Sequence, residues 1–174
     1  MTDLLTLQGN TKLDKTNKLN DGYNTGIIHM ISADKSGRNV CKHYSEGCKL
    51  VCIDIQGRGV FDNVIQARLF RTNLFFDDMN EFKARLVFEI GKAYSKTIKQ
   101  GLKLAIRLNG TSDIPYERVF PELFDMFGPD KLTAYDYTKY PYKERPIENL
   151  PVNYDLTFSR SETNAVDFLE SLHY

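Results

Sequence analysis

Short apolar runs alternate with helix-length segments along the chain, and this alternation restricts its fold more than any other feature. Tyr23 to Ala33 (YNTGIIHMISA), Leu104 to Leu108 (LAIRL), Leu132 to Thr138 (LTAYDYT) and Tyr154 to Phe158 (YDLTF) read as strands on their β-branched and aromatic content. Between the first two lie a loop with Gly37 and Asn39, a cysteine-bearing segment, a break at Gly57 and Gly59, and two helices. The first helix is expected from Val60 to Phe75, with Val64, Ala67, Leu74 and Phe75 as its apolar stripe and Arg68 and Arg71 on a neighbouring face. Asp77 and Asp78 mark a stop and a new start, since carboxylates favour a helix N-terminus. The second helix is expected from Met79 to Gln100, where Phe82, Leu86, Ile90 and Ala93 recur at helical steps, and Gly101 suits its C-terminal end. Tyr116 to Phe127 reads as a short helix despite Pro121, and Thr163 to Leu172 as a last one, capped by Ser161 or Thr163. Strands and helices in this order predict an α/β domain with a mainly parallel sheet.

A chain of 174 residues fits one domain. Residues 1–20, rich in Asn, Lys and Thr, read as a loosely attached arm, and 21–174 as a single α/β domain. With 41% hydrophobic residues and 23 basic side chains against 23 acidic ones, the chain is neither a disordered polyelectrolyte nor a strongly basic nucleic-acid binder. No apolar stretch reaches signal-peptide or membrane-span length, so a cytoplasm is the expected compartment, with no membrane partner.

Each late strand runs into a polar cluster. Asn109-Gly110-Thr111-Ser112-Asp113 follows one, Thr138-Lys139 the next, and Ser159-Arg160-Ser161-Glu162 the last. Parallel strands end on one rim, where loops converge and ligands bind. Arg107, Asn109, Asp113 and Lys139 are therefore candidate catalytic residues, and Ser112, Asp136, Ser159, Arg160 and Glu162 candidate cofactor-binding ones. Arg107, between Ile106 and Leu108, points away from their face and needs a carboxylate or a ligand oxyanion, with Asp113 and Asp136 as candidate partners. Asn-Gly and Ser-Asp are equally ordinary turn and cap chemistry. Tyr135, Tyr137, Tyr140 and Tyr142 read mainly as packing residues of core and rim.

Three cysteines, an odd number, rule out a full disulfide set. All fall in CKHYSEGCKLVC, as Cys41, Cys48 and Cys52, with His43 between them. Three thiolates can hold three irons of a [4Fe–4S] cluster and leave the fourth open. Adding His43 gives a Cys3His set suited to zinc. Three reduced thiols without metal are the remaining alternative. His29 and His173 have no partner spacing and read as structural, and HExxH, P-loop and GxGxxG motifs are absent.

Taken in order, CKHYSEGCKLVC, GRGVFDNVIQAR, IRLNGTSDI, AYDYTK and LTFSRSE resemble tailed-phage proteins of the gene-product-88-like family, across about residues 8 to 164. That resemblance carries no activity with it. A cysteine-rich loop after the first strand, followed by β/α units with polar strand ends, is also similar to the partial (β/α) barrel of radical S-adenosylmethionine (SAM) enzymes, in a minimal or incomplete form. This second resemblance implies that Cys41, Cys48 and Cys52 ligate a cluster whose open iron binds SAM, with Asn109 to Asp113 nearby. The chain departs from it in spacing, C-x6-C-x3-C in place of C-x3-C-x2-C, and in lacking a Gly-Gly-Glu-like segment.

Two functions are expected on these grounds. One is a phage metalloprotein, an iron–sulfur enzyme among the options, taking a small anionic ligand at the strand rim. The other is a binding protein acting on a host factor, such as a defence component, or on nucleic acid, with the cysteines structural. For the latter, Lys12, Lys15, Lys18, Arg58, Arg68, Arg71, Lys139, Lys143 and Arg145 would form a phosphate-binding face. An oligomer, or a partner completing the sheet, would suit the small number of strands.

Overall fold

The computed structural model describes residues 2–7, 22–166 and 169. Its elements are β1 (Leu5–Thr6), β2 (Tyr23–Ile28), α1 (Ala33–Ser36), α2 (Glu46–Leu50), α3 (Asp62–Asp77), α4 (Met79–Ile98), β3 (Lys103–Arg107), α5 (Tyr116–Val119), α6 (Glu122–Lys131), β4 (Thr133–Thr138) and β5 (Tyr154–Phe158). Short 3-10 turns at Ile53–Ile55 and Gly57–Val60 join α2 to α3. The sheet is five-stranded in the order β1-β2-β3-β4-β5 and does not close into a barrel. β2 to β5 run parallel, with Ile27 opposite Arg107 and Asp136 opposite Leu156, while β1 lies antiparallel on the outer edge of β2. The α/β reading with a mainly parallel sheet is thus the observed fold. Sequential strand order is what a partial barrel would also give, but here the sheet stays open.

Alternation along the strands decides which side is core. Ile28, Leu104, Ile106 and Ala134 join Phe82, Leu86 and Ile90 of α4 and Leu123 and Phe124 of α6 in one apolar cluster. The stripe Phe82, Leu86, Ile90 and Ala93 is buried as the period predicts. Asp78 caps α4 by accepting from Glu81 N–H at 3.0 Å, which satisfies one orphan donor of the first turn. Gly101, at φ +70°, ends the helical stretch in the left-handed region.

Several expected boundaries move. The strand expected over Tyr23 to Ala33 ends at Ile28, and Ala33 opens α1. The helix expected from Tyr116 to Phe127 is two helices, split at Phe120 and Pro121, because proline cannot continue the ladder of hydrogen bonds. Helix α3 turns its arginines inward: Arg68, Arg71, Thr72 and Phe75 are its buried residues. The reason is polar. Arg71 Nε donates to the Asp3 carbonyl at 2.8 Å, and Thr72 Oγ1 accepts from Ile31 N–H at 3.0 Å, so α3 satisfies the backbone that leaves β2.

Of the arm expected over 1–20, residues 2–7 are held against the domain. Leu4 and Leu5 are buried, and their N–H groups donate to the two Glu89 carboxylate oxygens at 2.9 and 2.7 Å. Residues 8–20 lie outside the described residues, as do half of the residues of the helix expected over Thr163 to Leu172, and His173. Among the described residues no helix is long and apolar enough to cross a membrane.

Two substitutions test this packing by urea unfolding. Ile106→Ala leaves a cavity under α4 and is expected to cost about 2–5 kcal/mol. Glu89→Ala strands two backbone donors and is expected to cost about 1–3 kcal/mol, with faster proteolysis at the N-terminus.

Candidate functional site

The loops leaving β2 to β5 meet the cysteine segment around one cavity of about 490 Å³, within the range of small-molecule sites. Two backbone contacts set the approach. Gly110 N–H donates to the Ile28 carbonyl, and Asp113 N–H donates to the Val40 carbonyl, forming a bridge beside Cys41. Gly110 has to be glycine: a Cβ there would lie 2.5 Å from Ile27 Cγ2 and 2.6 Å from the Ile28 carbonyl oxygen. Across the mouth, Glu162 beyond β5 accepts from Gly47 N–H at 2.7 Å, tying the last strand's tail to α2.

Of the expected residues, Cys41, Cys48, Cys52, Arg107, Asn109, Ser112, Asp113, Lys139 and Ser159 line this cavity. Most of the polar ones are committed to the wall itself. Asn109 Oδ1 accepts from Ser112 Oγ and Ile114 N–H, while its Nδ2 donates to the Ile114 carbonyl and to Asp136 Oδ2. Lys139 Nζ donates to the Ser159 carbonyl, Ser159 Oγ and the Arg160 carbonyl. Asp136, Arg160 and Glu162 do not line the cavity. Asp136 lies buried behind it, Arg160 contributes the carbonyl that accepts from Lys139, and Glu162 clasps α2.

Arg107 does not pair with Asp113 or Asp136. Its Nε donates to the Asn109 carbonyl at 3.1 Å and its guanidinium lies 4.9 Å over the Tyr137 ring. The buried arginine of the rim is Arg145, 2% exposed. It binds both Glu117 oxygens at 2.9 and 2.7 Å, Asp113 Oδ1 at 3.2 Å and Tyr154 Oη at 2.9 Å. Tyr154 in turn donates to Asp136 Oδ2 at 2.8 Å. Burial depresses the Arg145 charge, but the Glu117 hydrogen bonds and the nearby acidic charges outweigh it and keep the guanidinium protonated. Burial pushes the Asp136 carboxyl up to about 7 against the hydrogen bonds from Tyr154 and Asn109. The same burial raises Asp113, opposed by the Lys139 N–H and by Arg145. Arg145, expected on a phosphate-binding face, is buried instead, in a stretch, PYKERPIEN, with no period that marks it for burial.

The three cysteines are free thiols. Burial, then Asp113, Cys52 and Cys48, push the Cys41 thiol up to about 12. Cys52 is raised by burial and shares a hydrogen bond with Asp54. Burial would raise Asp54, but hydrogen bonds from Ser32 and Cys52 outweigh it. Below them Arg68 is buried with Nε and Nη1 unpaired, and Asp54 Oδ1 and His29 Nδ1 also lack partners. Burial, then Arg68, Arg71 and Arg107, lower His29 to about 4, leaving it neutral.

His43 is not with the thiols. Its Nε2 lies 3.1 Å from Glu144 Oε2, its ring packs edge-on against Tyr140, and it is absent from the cavity lining. The expected Cys3His set is therefore not assembled. Among the described residues, no three His, Cys, Asp or Glu side chains form a ready metal-binding group. The expected phosphate-binding face is also not formed: Arg68, Arg71 and Arg145 are buried, and Lys12, Lys15 and Lys18 lie outside the described residues.

The buried network yields two checks. Arg145→Ala removes the buried cation shared by Glu117 and Asp113 and is expected to cost about 3–5 kcal/mol by urea unfolding. Folded Asp136 keeps its proton to about pH 7, while the unfolded group releases it near 3.8. Its contribution to stability is therefore full below about pH 4 and lost as pH rises through about 7. Wild type is expected to lose more stability from pH 5 to pH 8 than Asp136→Asn, read from urea midpoints.

No curated protein and no solved structure matches the chain, so the second resemblance, to the radical-SAM barrel, gains no support from either search. The family profile described as gene product 88 matches residues 4–173. That span covers nearly the whole sequence and includes both the cysteine segment and the rim loops, and the chain belongs to the gene product 88 family.

Proposed function

We propose that the protein is a phage metalloprotein in which Cys41, Cys48 and Cys52 hold an iron–sulfur cluster at the rim cavity. One observation carries the reading: three free thiols from a single short segment line the same cavity as the C-terminal ends of the parallel strands. A three-thiolate set leaves one iron of a [4Fe–4S] cluster open, and that position would face the rim. Zinc is less well served, since His43 is engaged by Glu144 and Tyr140 and offers no fourth ligand.

One neighbour favours a negatively charged centre, against the burial that raises Cys41 and Cys52. Arg68 is buried near Cys52, with two nitrogens unpaired and no carboxylate at ion-pair distance among the described residues. A buried guanidinium with no fixed acceptor offsets thiolate charge and favours the ligating form. Because no ready metal-binding group is gathered in the described residues, cluster binding includes a local closure of the segment from Cys41 to Cys52. A cluster held in this way supplies one-electron chemistry or activates a ligand at its open iron. Arg107 and Lys139 would then hold an anionic substrate against it.

Anaerobic purification and reconstitution with iron and sulfide test the proposal. About four irons and four sulfides per chain are expected, with a visible iron–sulfur absorbance. Cys41→Ser, Cys48→Ser and Cys52→Ser are each expected to lose most of the bound iron while keeping the wild-type unfolding midpoint within about 1 kcal/mol. A chain that stays iron-free after reconstitution, or serine variants that retain full iron, would reject it.

A further inference from the structure

Once the committed groups are set aside, the cavity is left with two kinds of surface. On the strand-end side, Arg107 is anchored by Nε on the Asn109 carbonyl and by its stack on Tyr137. Among the described residues its two terminal nitrogens meet no acceptor, and no carboxylate lies within ion-pair distance of it. Lys139 is held by three oxygens that are all neutral, so its charge is also unbalanced by any ion pair among the described residues. Asp34, Asp54 and Asp113 line the same cavity, but among the described residues neither cation is ion-paired to any of them.

On the cysteine-segment side, Leu50, Val51, Ile53 and Ile55 line the same cavity and are 75%, 64%, 52% and 42% exposed. Four neighbouring large apolar side chains at one mouth form a patch that an occupant would cover. A bare inorganic anion would satisfy the cations and leave this patch wet. A neutral apolar ligand would cover the patch and leave Arg107 without its acceptor.

We propose that the rim cavity binds an amphipathic anion, with a carboxylate or phosphate head on the free edge of Arg107 and an apolar body against Leu50, Val51, Ile53 and Ile55. A guanidinium held by its Nε still presents its terminal N–H donors, the geometry that takes planar oxyanions with paired hydrogen bonds. Lys139 adds charge without direct contact. This binding does not require the cluster, since none of the residues it uses is a thiol, and it holds for the iron-free chain.

Calorimetric titration of the iron-free full-length chain tests it, with sodium octanoate, octyl phosphate, octanol and sodium acetate as probes. At least one of octanoate and octyl phosphate is expected to bind at a single site, and the stronger of the two identifies the head group. Octanol and acetate are each expected to bind at least about tenfold more weakly, the loss of one charge-assisted contact or of the apolar body. Arg107→Gln is expected to weaken the better anion about tenfold or more and leave octanol unchanged, while Val51→Asp weakens both. Octanol binding as tightly as the anions, acetate as tightly as octanoate, or no anion binding at all would overturn the proposal. The wild-type comparison needs no variant to fold. Iron content is measured separately, so failure here and failure of the cluster reading are distinct results.

Discussion

One buried guanidinium organises the ligand-facing end of this domain. Arg145 sits where the loops after β3 and β4 meet, and it binds Glu117, Asp113 and the Tyr154 hydroxyl together. Through Tyr154 it reaches Asp136, and through Asp136 it reaches Asn109, whose side chain closes the turn that forms one cavity wall. The cluster holds three carboxyls and one guanidinium. Such an excess of acid cannot all ionise out of water. Asp136, the deepest, is the group pushed up to about 7, and it can still accept from its neighbours. A buried ion pair of this kind adds little net stability over apolar packing, but breaking it on one side is costly. Its value here is positional, because it fixes the loops after β3 and β4 to each other and to β4 and β5.

This arrangement explains what the sequence could and could not reveal. Strand and helix periods are local, so the order of elements and the parallel sheet were legible, and parallel strands put their C-terminal ends together by necessity. The convergence of Asn109, Asp113, Lys139 and Ser159 on the cysteine segment follows from that topology alone. Which arginine would be buried was not legible. Arg107 does alternate away from Ile106 and Leu108, but the face it takes borders the cavity, where a tyrosine ring and a carbonyl meet it. Arg145 lies in an irregular, charged stretch, and only tertiary contacts bury it. Helix α3 misled for a related reason: its apolar stripe is weak, and polar side chains turn inward to serve the backbone beyond β2.

The same contacts separate scaffold from chemistry within a single motif. NGTSD has the residue types of a binding loop, yet Asn109, Thr111 and Ser112 spend their hydrogen bonds inside the protein. Such a loop builds a rigid wall and leaves recognition to groups whose bonding capacity is not used up. Those include the Cys48 thiol, Asp54 Oδ1, the terminal nitrogens of Arg107, and the apolar side chains between and beyond Cys48 and Cys52.

Electrostatics give these remaining groups a common direction. Burial first, and then the charges of Arg68, Arg71 and Arg107, hold His29 at about 4, so three cations act on this side of the cysteine segment. Arg68 and Arg71 are themselves buried, so solvent screens them weakly and their field reaches the cavity above. Positive charge here favours a thiolate against the burial that pushes Cys41 up to about 12 and also raises Cys52, and it draws an anionic head toward the strand ends. The two demands compete for the same positive charge. A thiolate-bound cluster in the cavity would neutralise part of it, so anion affinity should be highest in the iron-free chain and fall as the thiols become ligated. That coupling is reciprocal by linkage: an anion seated on Arg107 would loosen the hold of the three cysteines by the same factor.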